Sequence, residues 1–298
     1  MQINIDNSAG FCWGVVKTID LVEDQLREAN GRDVYVLGQI IHNPKEIERL
    51  EAKGLKTITH EDLPNIKKEN STVIIRAHGE PPSTYDTADK LGLDLVDATC
   101  PLVTSLQKRV RKYHKMGYQI VVYGKENHAE VIGLRGVCND ECIVIKSLDD
   151  ALEKVDFNKK TVLFTQTTMN KYVFYEIRDA LKENAAEFHD EGEIKSSFMV
   201  KDTICKYVSD RDEDLRKFAR TNDLIIFVAG RSSSNGKSLF QICSGENPNT
   251  KFIESIEEID YTWFDGVEKV GVTGATSTPQ WYLRQVKDEV EKNYKVPA

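Results

Sequence analysis

Three cysteines of this chain lie where helices are predicted to begin, a position that suits a nucleophile or a metal ligand. Cys100 separates the apolar run at residues 93–96 from Pro101, which opens a strong helical pattern. Unpaired backbone amides and the helix dipole at such a site favour the thiolate over the thiol. Cys205 and Cys12 precede two further helical patterns. We therefore treat all three as candidate functional residues.

The three cysteines also mark an internal repeat. A glycine that ends an apolar run follows each of them after 26, 24 and 25 residues, at Gly38, Gly124 and Gly230. Four residues beyond each glycine a polar side chain opens a helix, at His42, His128 and Ser234. A second apolar run in each repeat ends in polar residues, at 76–78, 166–168 and 273–277. Near-equal spacing of this kind is typical of one repeated structural unit.

Short β-branched runs alternate with helical patterns along the chain, which predicts an α/β fold with mostly parallel sheets. The predicted strands lie at residues 34–37, 73–75, 93–96, 120–123, 162–164, 224–228 and 270–272. We predict three pseudo-repeated α/β units, at residues 13–99, 100–199 and 200–298, with an N-terminal strand within residues 1–12 joining the third. Open α/β sheets bind ligands at the carboxyl ends of their strands. If the three units are arranged around a pseudo-threefold axis, which is a hypothesis, those ends and the three cysteines would meet around a central cavity.

The composition excludes several classes of protein. The chain has 298 residues, of which 40% are hydrophobic and 30% charged, as in an ordinary globular protein. Its net charge of -8 argues against nucleic acid as the main partner, and we find no local basic patch that would change this conclusion. No stretch reaches the ~20 apolar residues of a membrane span, and residues 1–6 lack the features of a secretory signal. The sequence predicts a cytoplasmic protein whose cysteines are thiols, thiolates or metal ligands.

Three thiolates without a fourth matching cysteine favour a metal site that keeps one position open. The main alternative is that Cys12, Cys100 and Cys205 are separate buried thiols, because free cysteine is among the most buried residue types. A zinc site completed by a histidine or a water molecule is a further alternative. The remaining cysteines have no counterpart in the repeat and are interpreted as structural: Cys138, Cys142 and Cys243.

Polar side chains at the predicted strand ends favour an anion site. A single histidine in such a place is more often structural, but several donors at equivalent positions, together with helix N-termini, suit a phosphate or diphosphate. The candidate side chains are His42, His78, His128, Thr168, Ser233, Ser234, Asn235 and Ser277.

Glu130 is the one carboxylate among these strand-end residues. A glutamate in the first turn of a helix usually interacts with the helix dipole. In a closed cavity beside a hydroxyl such as that of Thr168, it would instead serve as a proton donor.

A glycine-rich stretch at residues 230–238 supports a competing interpretation. It follows a predicted strand and resembles a phosphate-binding P-loop, but five residues separate Gly230 from Gly236 where that motif has four. With structural cysteines, the chain would be a phosphate-handling transferase or a nucleotide-binding protein. The iron content of the purified protein distinguishes the two interpretations.

Taken together, the motifs of the chain resemble those of the 4-hydroxy-3-methylbut-2-enyl diphosphate reductases, which catalyse the last step of the non-mevalonate isoprenoid pathway. The resemblance runs through the whole chain. It rests on Gly10-Phe11-Cys12-x-Gly14-Val15, His42-Asn43-Pro44, Arg76-Ala77-His78-Gly79, Asp97-Ala98-Thr99-Cys100-Pro101-Leu102-Val103, His128-x-Glu130-Val131-x-Gly133, Gln166-Thr167-Thr168, Asp202-Thr203-Ile204-Cys205, Ser233-Ser234-Asn235, and Gly271-Val272-Thr273 with Ser277-x-Pro279.

The resemblance implies an oxidoreductase in which the three α/β units form a trefoil around a central cofactor cavity. It implies one 4Fe-4S cluster there, held by Cys12, Cys100 and Cys205, whose fourth iron is open to the substrate hydroxyl. It implies that Glu130 with Thr168 delivers a proton, although the neighbouring Thr167 competes for that role. A small ferredoxin or flavodoxin would supply the electrons. The residues implied to bind the diphosphate are His42, His78, His128, Thr168, Ser233, Ser234, Asn235 and Ser277.

The chain departs from the family pattern at a few positions. Trp13 stands where a small residue is usual, and Ala129 replaces a proline between His128 and Glu130. The last two loops differ as well, at Gly236, Gly274 and Thr276. None of these changes removes an implied ligand or the implied acid, so the implied function stands.

Overall fold

The computed structural model of the protein describes residues 1–188 and 197–294. The chain folds into two compact units. Unit 1 comprises Met1–Ala29, Gln39–Thr57 and Lys206–Ala298, and unit 2 comprises Asn30–Gly38 and Ile58–Cys205. The boundaries of the three repeats at residues 99/100 and 199/200 stay a prediction.

Strands and helices alternate along the chain. The strands are β1 (Gln2–Ile5), β2 (Asp33–Leu37), β3 (Leu55–Ile58), β4 (Ser71–Ile75), β5 (Asp94–Asp97), β6 (Gln119–Tyr123), β7 (Ile143–Ile145), β8 (Thr161–Thr165), β9 (Phe198–Val200), β10 (Leu224–Val228), β11 (Thr250–Ile253) and β12 (Lys269–Gly274). The α-helices are α1 (Trp13–Arg27), α2 (Pro44–Glu51), α3 (Pro82–Leu91), α4 (Pro101–Lys115), α5 (Ala129–Gly136), α6 (Leu148–Lys154), α7 (Lys171–Phe188), α8 (Lys206–Ser209), α9 (Arg211–Arg220), α10 (Ser234–Glu246) and α11 (Gln280–Asn293). Short 3-10 helices lie at His60–Asn65, Lys68–Asn70, Ile256–Glu258 and Tyr261–Phe264.

The strands form parallel sheets. Unit 1 contains a sheet in the order β1-β12-β10-β11, and unit 2 contains a sheet in the order β7-β6-β8-β9. In unit 2, β4 also pairs in parallel with β2 on one side and β5 on the other. The inner strands β4, β8 and β10 are buried at every residue, as expected for parallel strands covered on both faces.

Amphipathic helices cover these sheets. On α11, Leu283, Val286 and Val290 are fully buried at helical spacing, and they pack in one cluster with Val270 and Val272 of β12. Pro279 is the N-cap of this helix. The apolar spacing in the sequence therefore predicts this buried face correctly.

The structure confirms the predicted α/β class with parallel sheets. All seven predicted strands are present, as β2, β4, β5, β6, β8, β10 and β12. The sequence did not predict β3, β7, β9 and β11, which have only three or four residues. Short strands of this kind carry little of the apolar signal on which such predictions rest. The trefoil arrangement stays a prediction.

The described helices lack membrane-spanning character. Within residues 1–188 and 197–294, none of them is both long enough and apolar enough to cross a bilayer.

Candidate functional site

The three candidate cysteines occupy equivalent places in the fold. Cys12 is the N-cap of α1, Cys100 is the N-cap of α4, and Cys205 directly precedes α8. The strands that precede Cys12, Cys100 and Cys205 are β1, β5 and β9, which pair with β12, β4 and β8. The backbone N–H of each cysteine donates to the carbonyl of the second residue after that paired strand. The acceptors are Thr276 for Cys12 (3.2 Å), Ala77 for Cys100 (2.9 Å) and Thr167 for Cys205 (2.9 Å). The repeat seen in the spacing thus extends to the hydrogen bonds.

An aspartate turn leads into each cysteine loop. One carboxylate oxygen of Asp6, Asp97 and Asp202 accepts the backbone N–H two residues further on, at 2.9, 2.9 and 3.1 Å. Such Asx turns fix the backbone direction of a short loop because they replace a backbone hydrogen bond. The three aspartates therefore help to set where the cysteines are presented.

A side chain from another element of the same unit holds the second oxygen of each aspartate. In unit 2, the hydroxyl of Tyr85 donates to Asp97 (3.1 Å), and that of Tyr175 donates to Asp202 (2.9 Å). In unit 1, Arg211 and Thr273 donate to Asp6, at 3.2 and 2.7 Å. Sequence reasoning missed these anchors. Each is far from its aspartate along the chain, so no local motif identifies it.

The cysteine side chains suit a soft metal group. None of the six cysteines, all within the described residues, forms a disulfide. Cys12, Cys100 and Cys205 are half-buried, and the thiols of the N-caps Cys12 and Cys100 do not cap their helices. Thiolates at helix N-termini are favoured by the dipole and are the usual ligands of iron–sulfur clusters. Two of the other cysteines, Cys138 and Cys243, are fully buried.

Glu130 is a buried acid of unit 2. It lies in the first turn of α5 and is 1% exposed. Its carboxylate accepts two hydrogen bonds from Thr167, one from the backbone N–H and one from the hydroxyl, both at 2.7 Å. Burial raises the pKa of Glu130 to about 7, although both hydrogen bonds act to lower it. A carboxyl group with this pKa holds and releases a proton near neutral pH.

The predicted partner of this acid, Thr168, directly follows Thr167 in the sequence but makes a different contact. The Thr168 hydroxyl accepts from the Nε2 amide of Gln166 at 3.1 Å, and the side-chain oxygen of Gln166 accepts the backbone N–H of Lys125 at 3.0 Å. Fully buried, Gln166 links the loops after β6 and β8. It belongs to the motif read from the sequence, but only the structure shows what it positions. The catalytic role of Thr168 stays a prediction.

Two histidines of unit 2 lie together. The rings of His78 and His128 pack edge to face with centroids 5.3 Å apart. His128 is the N-cap of α5, and its Nδ1 accepts the backbone N–H of Glu130 at 3.2 Å. Because Nδ1 is the acceptor, a neutral His128 carries its proton on Nε2, which makes that nitrogen a hydrogen-bond donor.

The hydroxyl and amide candidates of unit 1 also cluster. Ser233 is the N-cap of α10, and its Oγ accepts the N–H of Gly236 at 3.0 Å. The Oγ atoms of Ser233 and Ser277 lie 3.5 Å apart, and the amide of Asn235 donates to the Thr276 hydroxyl. The buried Oδ1 of Asn235 has no hydrogen-bond partner within the described parts of the chain. Buried polar atoms are normally paired, so this oxygen is available to accept a hydrogen bond from a bound group.

The backbone of this region is closely packed. A Cβ atom at Gly230 would lie 2.4 Å from the carbonyl oxygen of His42, so a glycine is needed for this approach. Ser277 Oγ reaches the same oxygen at 3.5 Å. The stretch at residues 230–238 is not arranged as a P-loop, because Ser233 uses the Gly236 amide and Lys237 is already inside α10.

The predicted site residues are thus divided between the two compact units. Unit 1 contains Cys12, His42, Ser233, Ser234, Asn235 and Ser277. Unit 2 contains His78, Cys100, His128, Glu130, Thr168 and Cys205. Their ligand, substrate and catalytic roles stay predictions.

Comparison with known proteins decides the family. A sequence profile of the family described as LytB protein matches residues 3–291. The chain belongs to the LytB family. This LytB chain is 47% identical to the 4-hydroxy-3-methylbut-2-enyl diphosphate reductase of Chloroherpeton thalassium, over 99% of the chain and 98% of the relative. It is 43% identical to the enzyme of the same name from Bacteroides fragilis, over 99% of both.

Solved structures agree with this assignment. The LytB chain matches a structure of (E)-4-hydroxy-3-methyl-but-2-enyl diphosphate reductase, described as the terminal enzyme of the non-mevalonate pathway, with a TM-score of 0.69 and 37% identity over 98% of this chain and 100% of the other. A Plasmodium falciparum E-1-hydroxy-2-methyl-but-2-enyl-4-diphosphate reductase matches with a TM-score of 0.85 and 28% identity, over 99% and 91%. LytB proteins are iron–sulfur enzymes, and the three equivalently held thiols of this LytB chain fit such a group.

Proposed function

We propose that this chain reductively removes the hydroxyl group of 4-hydroxy-3-methylbut-2-enyl diphosphate, giving isopentenyl diphosphate and dimethylallyl diphosphate. For each turnover two electrons and two protons enter, the C–O bond breaks, one C–H bond forms and water leaves. The observation that carries this proposal is the equivalent placement of Cys12, Cys100 and Cys205, in a chain whose relatives are named for this activity along 99% of its length.

The proposed cofactor is one 4Fe-4S cluster with three cysteine ligands and one open iron. Cys12, Cys100 and Cys205 would hold it, since each is fixed by its backbone hydrogen bond and by an aspartate turn before it. When bound, such a cluster supplies electrons and a Lewis-acidic iron for the substrate hydroxyl. A small ferredoxin or flavodoxin is the proposed electron donor, and the cytoplasm is the proposed compartment.

The diphosphate is proposed to bind the polar residues at the strand ends. In unit 2, the Nε2 proton of a neutral His128 and the adjacent ring of His78 suit an anion. In unit 1, the N-terminus of the 13-residue helix α10 adds a positive dipole end to its hydroxyl and amide side chains. The proposed diphosphate-binding residues are His42, His78, His128, Thr168, Ser233, Ser234, Asn235 and Ser277.

Glu130 is the proposed proton donor, with Thr168 as its proposed partner at the substrate. Its pKa of about 7 leaves much of the carboxyl protonated at neutral pH. The two hydrogen bonds from Thr167 fix the carboxyl group in one orientation, which reduces the reorganisation needed for proton transfer. Proton delivery to the departing hydroxyl lets it leave as water.

Anaerobic purification followed by iron and sulfide analysis tests the cofactor. About four irons per chain are expected. The purified protein is then supplied with 4-hydroxy-3-methylbut-2-enyl diphosphate and methyl viologen reduced by dithionite, and both C5 diphosphate products are expected by mass spectrometry. A colourless protein that hydrolyses ATP would instead support the nucleotide-binding interpretation.

A further inference from the structure

Helix α4 is rich in positively charged residues, although the chain as a whole is acidic. Residues 98–125 contain no aspartate or glutamate, although the whole chain has a net charge of -8. The exposed cations of this helix, here called the basic face, are Lys108, Arg109, Arg111, Lys112 and Lys115. The expectation from composition that no local basic patch exists is therefore wrong.

The spacing of these residues puts most of them on one side of the helix. Lys108, Arg111, Lys112 and Lys115 follow the i, i+3, i+4, i+7 pattern of a single helical surface. On the opposite side, Val103, Leu106 and Val110 are buried against unit 2. The cations therefore point to solvent from a rigid element.

The cations of the basic face form no ion pair with the described residues. Within residues 1–188 and 197–294, no carboxylate lies within 4 Å of any of its five cationic groups. Glu141 does reach α4, but it pairs with His114 at 2.6 Å. A cleft of about 290 Å³ beside α4 is lined by Lys108 and Arg111 and also by Asp86 and Asp97, so the positive charge is least balanced at Arg109, Lys112 and Lys115.

The surroundings of the basic face add a further cation and an exposed methionine. Lys201 extends it from the end of β9, since the Nζ atoms of Lys201 and Lys112 lie 5.3 and 5.9 Å from the ring centroid of Tyr113. Met116, directly after α4, is 56% exposed. An exposed apolar side chain within a charged rim is typical of a transient protein contact.

The dipole of α4 does not account for this arrangement. Cations in the last helical turn stabilise a helix, and this explains Lys112 and Lys115. Lys108 and Arg109 lie about one turn before Lys112, outside the last turn of the helix, where the effect has faded. Unpaired like charges on one helix also repel each other, so a role outside the helix is the better explanation.

We propose that the basic face of α4 is the docking surface for an acidic electron-carrier protein. The inference rests on the proposed reductase function, which requires two electrons per turnover. Two reduced one-electron carriers would each dock, lose one electron and leave. The location is suitable because Cys100 begins the same helix. At ~1.5 Å per residue, the basic face extends from roughly 12 Å (Lys108) to roughly 22 Å (Lys115) along the axis from Cys100. Lys201, at the far margin, is four residues from Cys205.

The test compares two electron sources for the cluster-loaded enzyme. The charge-reversal variant is R109E/K112E/K115E. With a reduced acidic ferredoxin, we expect its KM for ferredoxin to rise at least about tenfold, and the wild-type KM to rise as NaCl increases from about 0.05 to 0.5 M. With dithionite-reduced methyl viologen, which needs no docking surface, turnover should be unchanged.

A matched control separates a local surface from total charge. The variant K90E/K182E/R284E changes the net charge equally but at exposed positions on α3, α7 and α11. Its KM for ferredoxin should stay within about twofold of the wild type. An equal rise in both triple variants, or no rise in either, overturns the docking proposal.

A second measurement needs no variant. Carbodiimide coupling of ferredoxin carboxylates to the wild-type enzyme, followed by peptide mass spectrometry, should yield links to Lys112, Lys115 or Lys201. Links confined to other lysines overturn the proposal. It is also overturned if the charge-reversal variant loses binding to phosphatidylglycerol vesicles but keeps the wild-type KM for ferredoxin, because α4 would then be a membrane contact. If the wild type fails with methyl viologen, the proposed function itself is wrong, whatever the ferredoxin result.

Discussion

Glu130 and Thr167 are joined by two hydrogen bonds of 2.7 Å, one to each carboxylate oxygen. The pair connects the first turn of α5 with the loop after β8. Burial nevertheless dominates, and the pKa of Glu130 is raised to about 7. The consequences for proton transfer, for stability and for the neighbouring threonines can be measured separately.

The rate should fall as Glu130 loses its proton. A proton donor must be protonated, so kcat/KM is expected to decline above about pH 7 in the wild type. Glu130→Gln should retain the cluster but lose turnover by about 100-fold or more, and its residual rate should lack this decline. Rates with reduced methyl viologen between pH 5.5 and 9 test both points. A near-normal rate in the variant would remove Glu130 from the mechanism.

The same carboxyl should make stability depend on pH. The pKa of Glu130 is about 7 in the folded protein against 4.5 for an ordinary glutamate, so the folded state binds more protons between these values. The stabilisation is fully present below about pH 4.5 and is lost as pH rises through 7. At ~1.4 kcal/mol per pKa unit, the whole change is about 3 kcal/mol. Denaturant unfolding should therefore show Glu130→Gln gaining stability relative to wild type between pH 5 and 8; a constant difference would contradict the raised pKa.

Substitution of the two adjacent threonines distinguishes their roles. Thr167→Val removes a hydrogen bond that favours the charged carboxylate, so the pKa of Glu130 should rise and the alkaline decline in kcat/KM should move to higher pH. Thr168→Val should leave this decline in place and raise KM for the substrate. The pH profiles of both variants provide the comparison. If Thr168→Val shifts the decline and Thr167→Val does not, the assignment from the structure is wrong.

These threonines also show where sequence reasoning ends. The position of the acid and of all three cysteines follows from the repeat, because strand ends and helix starts recur at fixed spacing. The repeat does not predict which way the side chains of Thr167 and Thr168 point, because a loop has no periodicity that assigns side chains to one face. Gln166 has the same difficulty, because its role depends on the Lys125 amide in another loop.

The side chains that hold the aspartates before the cysteines are even harder to predict from the sequence. Tyr85 and Asp97 are 12 residues apart, and Asp6 and Arg211 are 205 apart. A contact between distant residues depends on how the strands are ordered in their sheet, and the strands β7, β9 and β11 that complete the sheets give almost no signal of their own. The fold class needs only the inner strands, so it could be predicted.

Removal of a single proposed ligand should prevent cluster assembly. Cys205→Ser and Cys100→Ser are each expected to lose most of the broad visible absorption and most of the iron, because serine is a poor ligand for iron–sulfur clusters. Cys142→Ser is the matched control, since Cys142 is also half-buried but lies outside the repeat. Spectra and iron content after anaerobic reconstitution give the readout. An unchanged spectrum for Cys205→Ser would count against its role.

The buried ion pair before Cys12 should be important for stability. Arg211 is almost fully buried, and it donates to Asp6 (3.2 Å) and to the carbonyl of Gly274 (2.8 Å). Arg211→Met would leave the Asp6 carboxylate buried without its cation, which typically costs about 3–5 kcal/mol of unfolding free energy. The double variant Asp6→Asn/Arg211→Met should recover part of this loss, because no uncompensated charge remains.

Denaturant unfolding of the two variants and of an exposed-pair control measures this coupling. Lys217→Met removes the partner of Glu213 in a pair whose side chains are 65% and 78% exposed, so the free energy of unfolding should change far less than in Arg211→Met. Because the Asp6 turn leads to Cys12, Arg211→Met should also bind the cluster less tightly, seen as faster iron loss to a chelator. If the double variant is no more stable than Arg211→Met, the charge on Asp6 is not what makes Arg211 necessary.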